Sequence, residues 1–452
     1  MTGVKITADQ DGVVVDGTID EINFTDNGDG TVEITLSDSY PIKIHTPATE
    51  GVDGAAGSEA ADLTITVSQP GFVITASGSV ESTAYEFEGP TVGIKLEAIN
   101  GVDASAVDVT ADATLTGVSG GYTVEGSGDA AKKLTSEFAA QSLALAIVGK
   151  DAEAGTDVHV TATVADIAGT SGGTFLGAEA MVDLAAALKA GFATDANFTY
   201  GKVAFDVEVT EATGPTKITG ATEGGNFTVG LDATRLLYGA GGKGVSLAMS
   251  SPDIPFPEVK LTYAEAAFNL LIPVAKTDEP ADFAFLTKIV DLSISEEIWG
   301  MIDPTNAFPH DPATVVLDTT GKVKLTTDLM DEAAMAALGE TPPGELHALN
   351  LNALQAKIAG AELTGNGALT FDNTDLTTFQ GVPAPTGKID LKLVGGNALL
   401  DKLVAMGILT EDDANGARMM VSMFANTVAE DELTSTLEFK DKGFFANGMQ
   451  LQ

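Results

Sequence analysis

Short stretches in which hydrophobic and polar residues alternate fill most of the chain. Residues 20–25 alternate through Ile22 and Phe24, residues 31–36 alternate again, and the segment between them is Asp-Asn-Gly-Asp-Gly. A polar, glycine-containing segment between two alternating runs is typical of a β-hairpin. A period of two also gives each strand one apolar face and one face that contacts water. The N-terminal part of the sequence therefore predicts a β-meander.

The same alternation recurs far into the chain. Its clearest examples are residues 63–67, 72–76, 85–87, 107–115, 143–147, 158–164, 198–200, 205–209, 227–231 and 245–249. We therefore expect a mainly β fold of long, curved antiparallel sheets, meander-like or groove-like. The 50 glycines add many turn signals, and no fixed period indicates a solenoid or a propeller.

Four or five segments have the spacing of short amphipathic helices instead. They are residues 179–192, 295–303, 328–338, 397–406 and the segment that follows Thr410. Ser295 and Thr410 are each followed by acidic residues, and the second pattern resembles a capping box, so both predict helix starts. We expect these few helices to cover or plug the apolar face of the sheets.

The last two predicted helices have an apolar stripe. Its members are Leu399, Leu403, Met419, Met420, Met423 and Phe424. Core packing on the sheet, beside a C-terminal hairpin, is the favoured interpretation, and an adaptable binding surface or a lid over a ligand groove is the alternative. If the stripe is core, Phe424→Ala should cost about 3–5 kcal/mol of stability.

Proline residues suggest one boundary along the chain. Pro252, Pro255 and Pro257 interrupt the strand pattern, so residues 1–252 are predicted to form a meander-rich part and residues 253–452 a sheet with covering helices. One continuous domain is the alternative, because all-β chains often exceed the usual domain length.

The charge balance excludes two classes of partner. Asp and Glu number 65 against 23 Lys and Arg, a net charge of −42, and Lys132-Lys133 is the only adjacent basic pair. Nucleic acids and anionic lipid headgroups are bound by clustered basic residues, so we expect neither as a partner. The apolar runs are also much shorter than the roughly 18 residues of a membrane-spanning helix, so we do not expect an integral membrane protein.

Two glycine-rich patterns resemble catalytic or cofactor motifs. Ser119 and Ser171 each lie in the Gly-x-Ser-x-Gly pattern of a hydrolase nucleophile elbow, but both precede strand-like residues where an elbow needs a helix. Residues 239–244 match a dinucleotide-binding fingerprint, yet they also precede a strand pattern, so a glycine-rich hairpin is the favoured interpretation. The absence of cysteine excludes disulfides, thiol nucleophiles and cysteine metal ligands.

No residue set has the spacing of a metal site. The four histidines are too scattered for a ligand set: His45, His159, His310 and His347. Four acids near the first hairpin lack the spacing of a calcium loop and predict an ordinary turn: Asp20, Glu21, Asp26 and Asp29. We therefore predict no catalytic, cofactor-binding or metal-binding residues, and no enzymatic activity.

Several longer motifs resemble a known family. They are Ile-Trp-Gly-Met-Ile-Asp-Pro (298–304), Phe-Pro-His-Asp-Pro-Ala-Thr (308–314), Pro-Ala-Pro-Thr-Gly (383–387), Leu-Val-Gly-Gly-Asn (393–397) and Phe-Ala-Asn-Gly (445–448). They closely resemble an uncharacterised alphaproteobacterial family defined only by a domain of unknown function. His310 departs from the family pattern, which has Arg there, and this puts in doubt a shared role for a fixed positive charge.

The resemblance implies a location rather than a reaction. It implies an exported, periplasmic protein whose signal peptide has been trimmed, since the start Met1-Thr2-Gly3 has no leader-like residues and by itself would suggest a cytoplasmic protein. At the level of fold, the long strands with one apolar face also resemble those of AsmA-like envelope proteins.

Three functions follow as hypotheses. The first is a non-enzymatic envelope protein that binds lipid, another hydrophobic ligand or an envelope protein on an apolar sheet face. The second is an acidic structural or adhesive surface module that binds divalent cations weakly. The third, less favoured, is a serine hydrolase that uses Ser119 or Ser171.

Overall fold

The predicted fold class is confirmed. The computed structural model describes residues 1–10, 12–48, 60–101, 107–126, 131–152, 154–339 and 341–452. Strands account for 65% of the residues and helices for 11%, and in these described ranges the strands belong to one antiparallel sheet of 25 strands, accompanied by 5 short helices. No helix among the described residues is long and apolar enough to cross a membrane.

The strands of the first half are mostly joined by short turns. They are β1 (Thr2–Gln10), β2 (Val13–Asp26), β3 (Val32–Leu36), β4 (Ser39–Thr46), β5 (Ala61–Ser68), β6 (Val73–Gly78), β7 (Ser82–Asn100), β8 (Val107–Glu125), β9 (Lys132–Asp151), β10 (Thr156–Phe175), β11 (Ala193–Tyr200), β12 (Val203–Glu211) and β13 (Gly214–Thr222). The hairpin predicted around residues 26–30 is confirmed, because β2 and β3 pair on either side of it.

Helices lie between some of the later strands. The strands are β14 (Gly224–Leu231), β15 (Arg235–Ser250), β16 (Val259–Pro273), β17 (Ala281–Ile294), β18 (Ala313–Leu325), β19 (Gly344–Ile358), β20 (Ala361–Asp372), β21 (Ala384–Val394), β22 (Asn426–Ala429), β23 (Glu432–Lys440), β24 (Gly443–Ala446) and β25 (Met449–Gln450). The helices are α1 (Leu184–Lys189), α2 (Glu296–Ile302), α3 (Glu332–Leu338), α4 (Gly396–Ala405) and α5 (Glu411–Phe424), and a 3₁₀ turn covers Ala178–Met181.

The described chain forms two compact units. Unit 1 contains Met1–Gly177, Thr194–Asn226 and Ser246–Val259, and unit 2 contains Ala178–Ala193, Phe227–Val245 and Lys260–Gln452. The predicted boundary at residue 252 lies inside the last stretch of unit 1, and the predicted division into two domains stays a prediction.

Unit 1 has one apolar row that runs in register across eleven strands. We call it the apolar ladder, and its members are Ile6, Gly17, Ile42, Ile65, Leu96, Ala111, Ile147, Val160, Val207, Ile218 and Met249, each directly opposite the next. At about 4.8 Å between neighbouring strands, such a row is about 48 Å wide. It contains no polar side chain.

The residues next to the ladder lie on the other sheet face and are mostly polar, because side chains alternate along a strand. One such row contains Thr66, Lys95, Asp112, Ala146, Thr161, Asp206 and Thr219. An ion pair of 3.0 Å between Lys217 Nζ and Asp206 Oδ2 lies on the same face. Unit 1 therefore has one apolar and one polar face, as the alternation in its sequence predicts.

Unit 2 repeats this arrangement on a smaller scale. A row that we call the second apolar row contains Ile289, Val315, Ala356, Leu363, Leu393 and Leu433, in register across β17 to β21 and β23. The neighbouring positions on the other face include Lys288, Gln355, Thr364 and Lys392. The predicted C-terminal hairpin is confirmed as β23 paired with β24.

Two of the predicted helix starts are confirmed. Ser295 is the N-cap residue of α2, so the predicted start is confirmed, and Asp303 is the C-cap; the Ser295 hydroxyl, however, makes no capping hydrogen bond to the helix backbone and accepts one of 3.2 Å from the backbone N–H of Lys260 instead. Thr410 is the N-cap of α5, and a reciprocal pair of hydrogen bonds with Asp413 forms a capping box. These signals are local in sequence, which is why they could be recognised without knowledge of the fold.

Two other helices are shorter than predicted because an aspartate caps them later. Residues 179–192 divide into the 3₁₀ turn and α1, which starts where Asp183 accepts a hydrogen bond from the backbone of Ala186. Residues 328–338 form a helix only from Glu332, because Asp331 caps it in the same way. Asp328 instead accepts a 2.7 Å hydrogen bond from the backbone N–H of Lys276.

The predicted glycine-rich hairpin at residues 239–244 is wrong. These residues lie inside the continuous strand β15. A two-residue hairpin needs residues with positive φ, and within this described segment only Gly244 has one, at +58°.

The long strands of unit 1 depend on glycines that are covered by aromatic rings. Segments predicted as separate short strands, such as residues 85–87, belong to strands of 19 or 20 residues. Gly120 lies opposite Phe87 in β7 and Phe138 in β9. A Cβ atom on Gly120 would lie 2.6 Å from Phe87 Cζ and 2.4 Å from the carbonyl oxygen of Glu137.

We expect Gly120→Ala to destabilise the protein by about 1–3 kcal/mol, because the new methyl group overlaps a ring and a backbone carbonyl. Gly177→Ala is the control, since a Cβ atom at Gly177 has no neighbour within 4 Å. Urea unfolding of both variants measures the difference. Equal stability of the two variants would contradict this account of the long strands.

Candidate functional site

The apolar faces are the most distinctive surfaces of the molecule. Among the described residues, no large side chain is completely buried. Apart from Gly17, every member of the apolar ladder is only half-buried. Neighbouring strands shield one another's side chains from the sides, and only a second layer of structure buries them fully. The ladder therefore lacks a complete second layer.

Helices do not provide that layer in unit 1, whose described residues contain no helix. Positions two residues from the ladder lie on the same face, and two of them are markedly exposed: Ile94 at 48% and Leu247 at 39%. A small buried centre exists at Val118, Ala140 and Ile167. Outside that centre, most residues of the apolar face keep part of their surface exposed, although Ile19, two positions from Gly17, is buried.

In unit 2, α4 and α5 lie over one end of the second apolar row. Two clefts lie between these helices and the sheet. The α4-side cleft, of about 440 Å³, is lined by Leu399, Leu400, Ala417 and Arg418, among others. The Phe424-side cleft, of about 450 Å³, is lined by Leu391, Met420, Phe424 and Phe444, among others. Leu393, Val421 and Leu433 line both clefts, so the two clefts adjoin beneath α5.

Polar contacts anchor the ends of this helix pair. At the start of α4, the Asp431 carboxylate accepts hydrogen bonds of 2.8 and 2.9 Å from the backbone N–H groups of Asn397 and Ala398. At the end of α5, the carbonyl oxygen of Phe424 accepts hydrogen bonds from Ser435 Oγ and Asn447 Nδ2. The helices are thus fixed at their ends, while clefts separate parts of them from the sheet.

The prediction that the methionine stripe is core is wrong. Met419, Met420 and Met423 are 69%, 61% and 53% exposed. The buried side of α5 instead contains Ala414, Ala417, Val421 and Phe424, at helical spacings of three and four. Apolar residues at that spacing are the signal in the sequence that would have identified the face towards the sheet.

Arg418 is a functional candidate that the sequence analysis did not identify. It lines the α4-side cleft and is 28% exposed. Its Nη2 donates a hydrogen bond to Asp401 Oδ1, and its Nη1 donates a 3.2 Å hydrogen bond to Asn415 Oδ1. It is one of two arginines in the chain, and the sequence gives no sign of its tertiary position.

The two candidate serines lie inside strands. Ser119 is in β8 and Ser171 is in β10, so neither is on the strand-to-helix turn of a nucleophile elbow. The hydroxyl of Ser171 lies 2.8 Å from that of Ser136. Ser119 borders a concavity of about 680 Å³ on the face that displays Glu86, Glu88 and Glu137.

Asp26 and Asp29 in the first hairpin accept hydrogen bonds from residues of the turn itself, in agreement with the predicted ordinary turn. Asp26 accepts a hydrogen bond from the backbone of Gly28, and Asp29 accepts one from the backbone and one from the hydroxyl of Thr31. These bonds hold the pKa of Asp29 below its usual value. Within the described ranges, no three His, Cys, Asp or Glu side chains are grouped in a way that would bind a metal ion.

The segments 298–304 and 308–314 meet around Trp299. Its ring stacks on His310 at 4.4 Å, and His310 Nδ1 lies 2.7 Å from Glu296 Oε2. Asp303 is 2% exposed. Burial raises the pKa of Asp303, but hydrogen bonds from the backbone of Ala307 and Phe308 outweigh this and leave the pKa below its usual value. These contacts fix the loop after α2 in place.

The other histidines are not brought together. His45 lies 2.7 Å from Asp62, His347 lies 3.5 Å from Glu345, and His159 is exposed on the polar face of β10. Each therefore has a separate local environment.

Comparison of the chain with protein-family models, with curated proteins and with solved structures gave no match. The resemblance to the uncharacterised alphaproteobacterial family and to AsmA-like proteins therefore stays a prediction. The open apolar faces and the clefts at α5 are the features from which a function can be argued.

We expect Phe424→Ala to cost less than about 2 kcal/mol of stability. The Phe424 ring borders a cleft, so its removal enlarges an existing space, and the hydrogen bonds to its carbonyl oxygen remain. Leu369→Ala is the control: this residue of β20 is 9% exposed, and its truncation should cost about 2–5 kcal/mol. If urea unfolding finds Phe424→Ala as costly as Leu369→Ala, the helix is core and the cleft does not open.

Proposed function

We propose that the protein is a non-enzymatic binder of molecules with long apolar chains, of the acyl-lipid type. The observation that supports this most directly is the apolar ladder, whose residues are in register across eleven strands and, apart from Gly17, are only half-buried. Large exposed apolar surfaces mark interaction sites in folded proteins, because their contact with water is unfavourable. An extended hydrocarbon chain would supply the missing second layer.

The energetic gain from such binding is large. Each methylene group transferred from water to an apolar surface contributes about 0.8 kcal/mol, so a long acyl chain that contacts several strands gains enough for stable binding. The clefts at α5 offer a more enclosed environment of the same chemistry, since their volumes lie within the range of about 300–1,000 Å³ that small-molecule sites occupy.

The charge of the chain is consistent with this role. A net charge of −42 makes copies of the protein repel one another. This repulsion opposes the pairing of two apolar faces, so that they stay available to a ligand. The same charge disfavours adsorption to an anionic membrane surface.

A location in the bacterial envelope is part of the proposal. It is supported by the resemblance of the Trp299 and C-terminal motifs to an exported family, and the bound molecule would then be an envelope lipid or a hydrophobic partner. The alternatives have less support: Ser119 and Ser171 lie within strands, and Asp26 and Asp29 bind the backbone of their own turn.

A pair of matched double variants tests the proposal. Ile147 and Val160 are opposite each other in the middle of the ladder, and Ala146 and Thr161 are opposite each other on the polar face. We expect Ile147→Gln/Val160→Gln to weaken the binding of a pyrene-labelled long-chain alcohol about tenfold or more, because two apolar contacts are replaced by amides. Ala146→Gln/Thr161→Gln should bind like the wild type.

Fluorescence titration measures binding, and thermal unfolding confirms that both variants are folded. Native mass spectrometry of wild-type protein purified without detergent provides a second test. The proposal is wrong if the wild type neither binds the alcohol nor retains a lipid. It is also wrong if both double variants weaken binding equally.

A further inference from the structure

Arg418 is a charged residue at the edge of apolar surroundings. The α4-side cleft that it lines also contains Leu393, Leu399, Val421 and Leu433. A cation beside a large apolar surface loses hydration, and an anionic partner offsets this loss; Asp401 is one such partner, and the headgroup of a ligand in the cleft would be another. Its presence therefore points to a ligand with both an apolar and an anionic part.

The guanidinium group of Arg418 has donors left for such a ligand. A guanidinium has five N–H donors, and within the described part of the chain Arg418 uses one for Asp401 and one for Asn415. The planar arrangement of these donors matches the two oxygens of a carboxylate.

The ion pair with Asp401 does not prevent this. The Asp401 side chain is 72% exposed, and an ion pair with an exposed partner contributes little because water screens the charges. Asp401 can turn into water at little cost when another anion binds. The remaining negative charge of the surroundings, including Glu411 and Asp412 in the first turn of α5, opposes a dianion more strongly than a monoanion.

The space beneath α5 suits a hydrocarbon chain attached to that anion. The α4-side cleft adjoins the Phe424-side cleft at Leu393, Val421 and Leu433, and the latter cleft is lined almost entirely by apolar side chains. With volumes of about 440 and 450 Å³, the two clefts have room for a long hydrocarbon chain, and the one guanidinium group at their edge matches one headgroup. The path leads from Arg418 past Val421 to Phe424.

From these observations we propose that the α5 clefts bind a single-chain fatty acid, with its carboxylate on Arg418 and its acyl chain beneath α5. This inference rests on the proposed function, since it requires that the protein binds apolar chains. It adds the chemical class of the ligand and the residue that recognises the headgroup.

A comparison of matched ligands tests which headgroup the clefts recognise. We expect the wild type to bind a saturated fatty acid about tenfold to a hundredfold more tightly than the alcohol of the same chain length, because a charge-assisted hydrogen bond to the carboxylate is lost in the alcohol. The affinity should rise about fourfold for each added methylene until the clefts are filled. Isothermal titration calorimetry at a fixed, near-neutral pH and below the micelle concentration measures both.

Three variants test Arg418. Arg418→Gln should reduce the affinity for the fatty acid to that for the alcohol and leave the alcohol unaffected. Asp401→Asn should raise the affinity for the fatty acid about twofold to fivefold, because it removes the competing carboxylate. Lys402→Gln is the control, since it removes a positive charge from the neighbouring helix without removing a residue that lines the clefts.

The outcomes separate this inference from the proposed function. If the acid and the alcohol bind equally tightly, or if Lys402→Gln has the same effect as Arg418→Gln, the inference is wrong and the proposed function stands. Tighter binding of an alkyl phosphate of the same length would also overturn the assignment of a carboxylate. If neither the acid nor the alcohol binds, both proposals fail. Should Arg418→Gln not fold, Asp401→Asn decides, and an unchanged affinity for the fatty acid would contradict the inference.

Discussion

The register between neighbouring strands is the constraint on which the other features depend. Side chains alternate between the faces of a strand, so a shift of one residue would exchange apolar and polar residues across a whole row. In unit 1, ten successive pairings place apolar residues opposite one another from Ile6 to Met249. A slip of one residue would put charged residues such as Asp112 and Asp206 opposite Leu96 and Val160. The apolar face thus fixes the register, and the register in turn keeps the apolar face continuous.

In unit 2 the helices cover the apolar face of the sheet only in part. The pair α4 and α5 covers only one end of the second apolar row, while Ile289 and Val315 at its other end are 41% and 53% exposed. Hydrogen bonds to Asp431, Ser435 and Asn447 fix the pair at its ends. Clefts can therefore persist beneath α5 without loss of the helix. This combination of fixed ends and an incompletely packed middle is what an enclosed site for a hydrocarbon chain requires.

Sequence reasoning succeeded where the signal was local and failed where it depended on distant partners. The hairpin around residues 26–30, the helix start at Ser295 and the capping box at Thr410 are each contained in a few consecutive residues, and the structure confirms them. Gly120 resembles a turn residue in the sequence, yet it lies inside a long strand because Phe87, more than thirty positions away, covers it.

The site was harder to predict for the same reason. Hydrophobicity alone made the methionines of α5 resemble core, whereas the helix turns Ala414 and Val421 towards the sheet. Nothing in the sequence near Arg418 indicates that the fold brings it to a cleft.

Photo-crosslinking tests most directly the central claim that the apolar faces bind hydrocarbon chains. A long-chain alcohol with a diazirine near its end would be bound, irradiated and mapped by peptide mass spectrometry. We expect labels on the apolar ladder, on the second apolar row and on the residues beneath α5, with residues of the opposite face such as Lys95, Asp112 and Thr161 unlabelled. The claim would be contradicted by labels distributed equally over both faces. It would also be contradicted by labelling that an excess of unlabelled alcohol, added before irradiation, does not prevent.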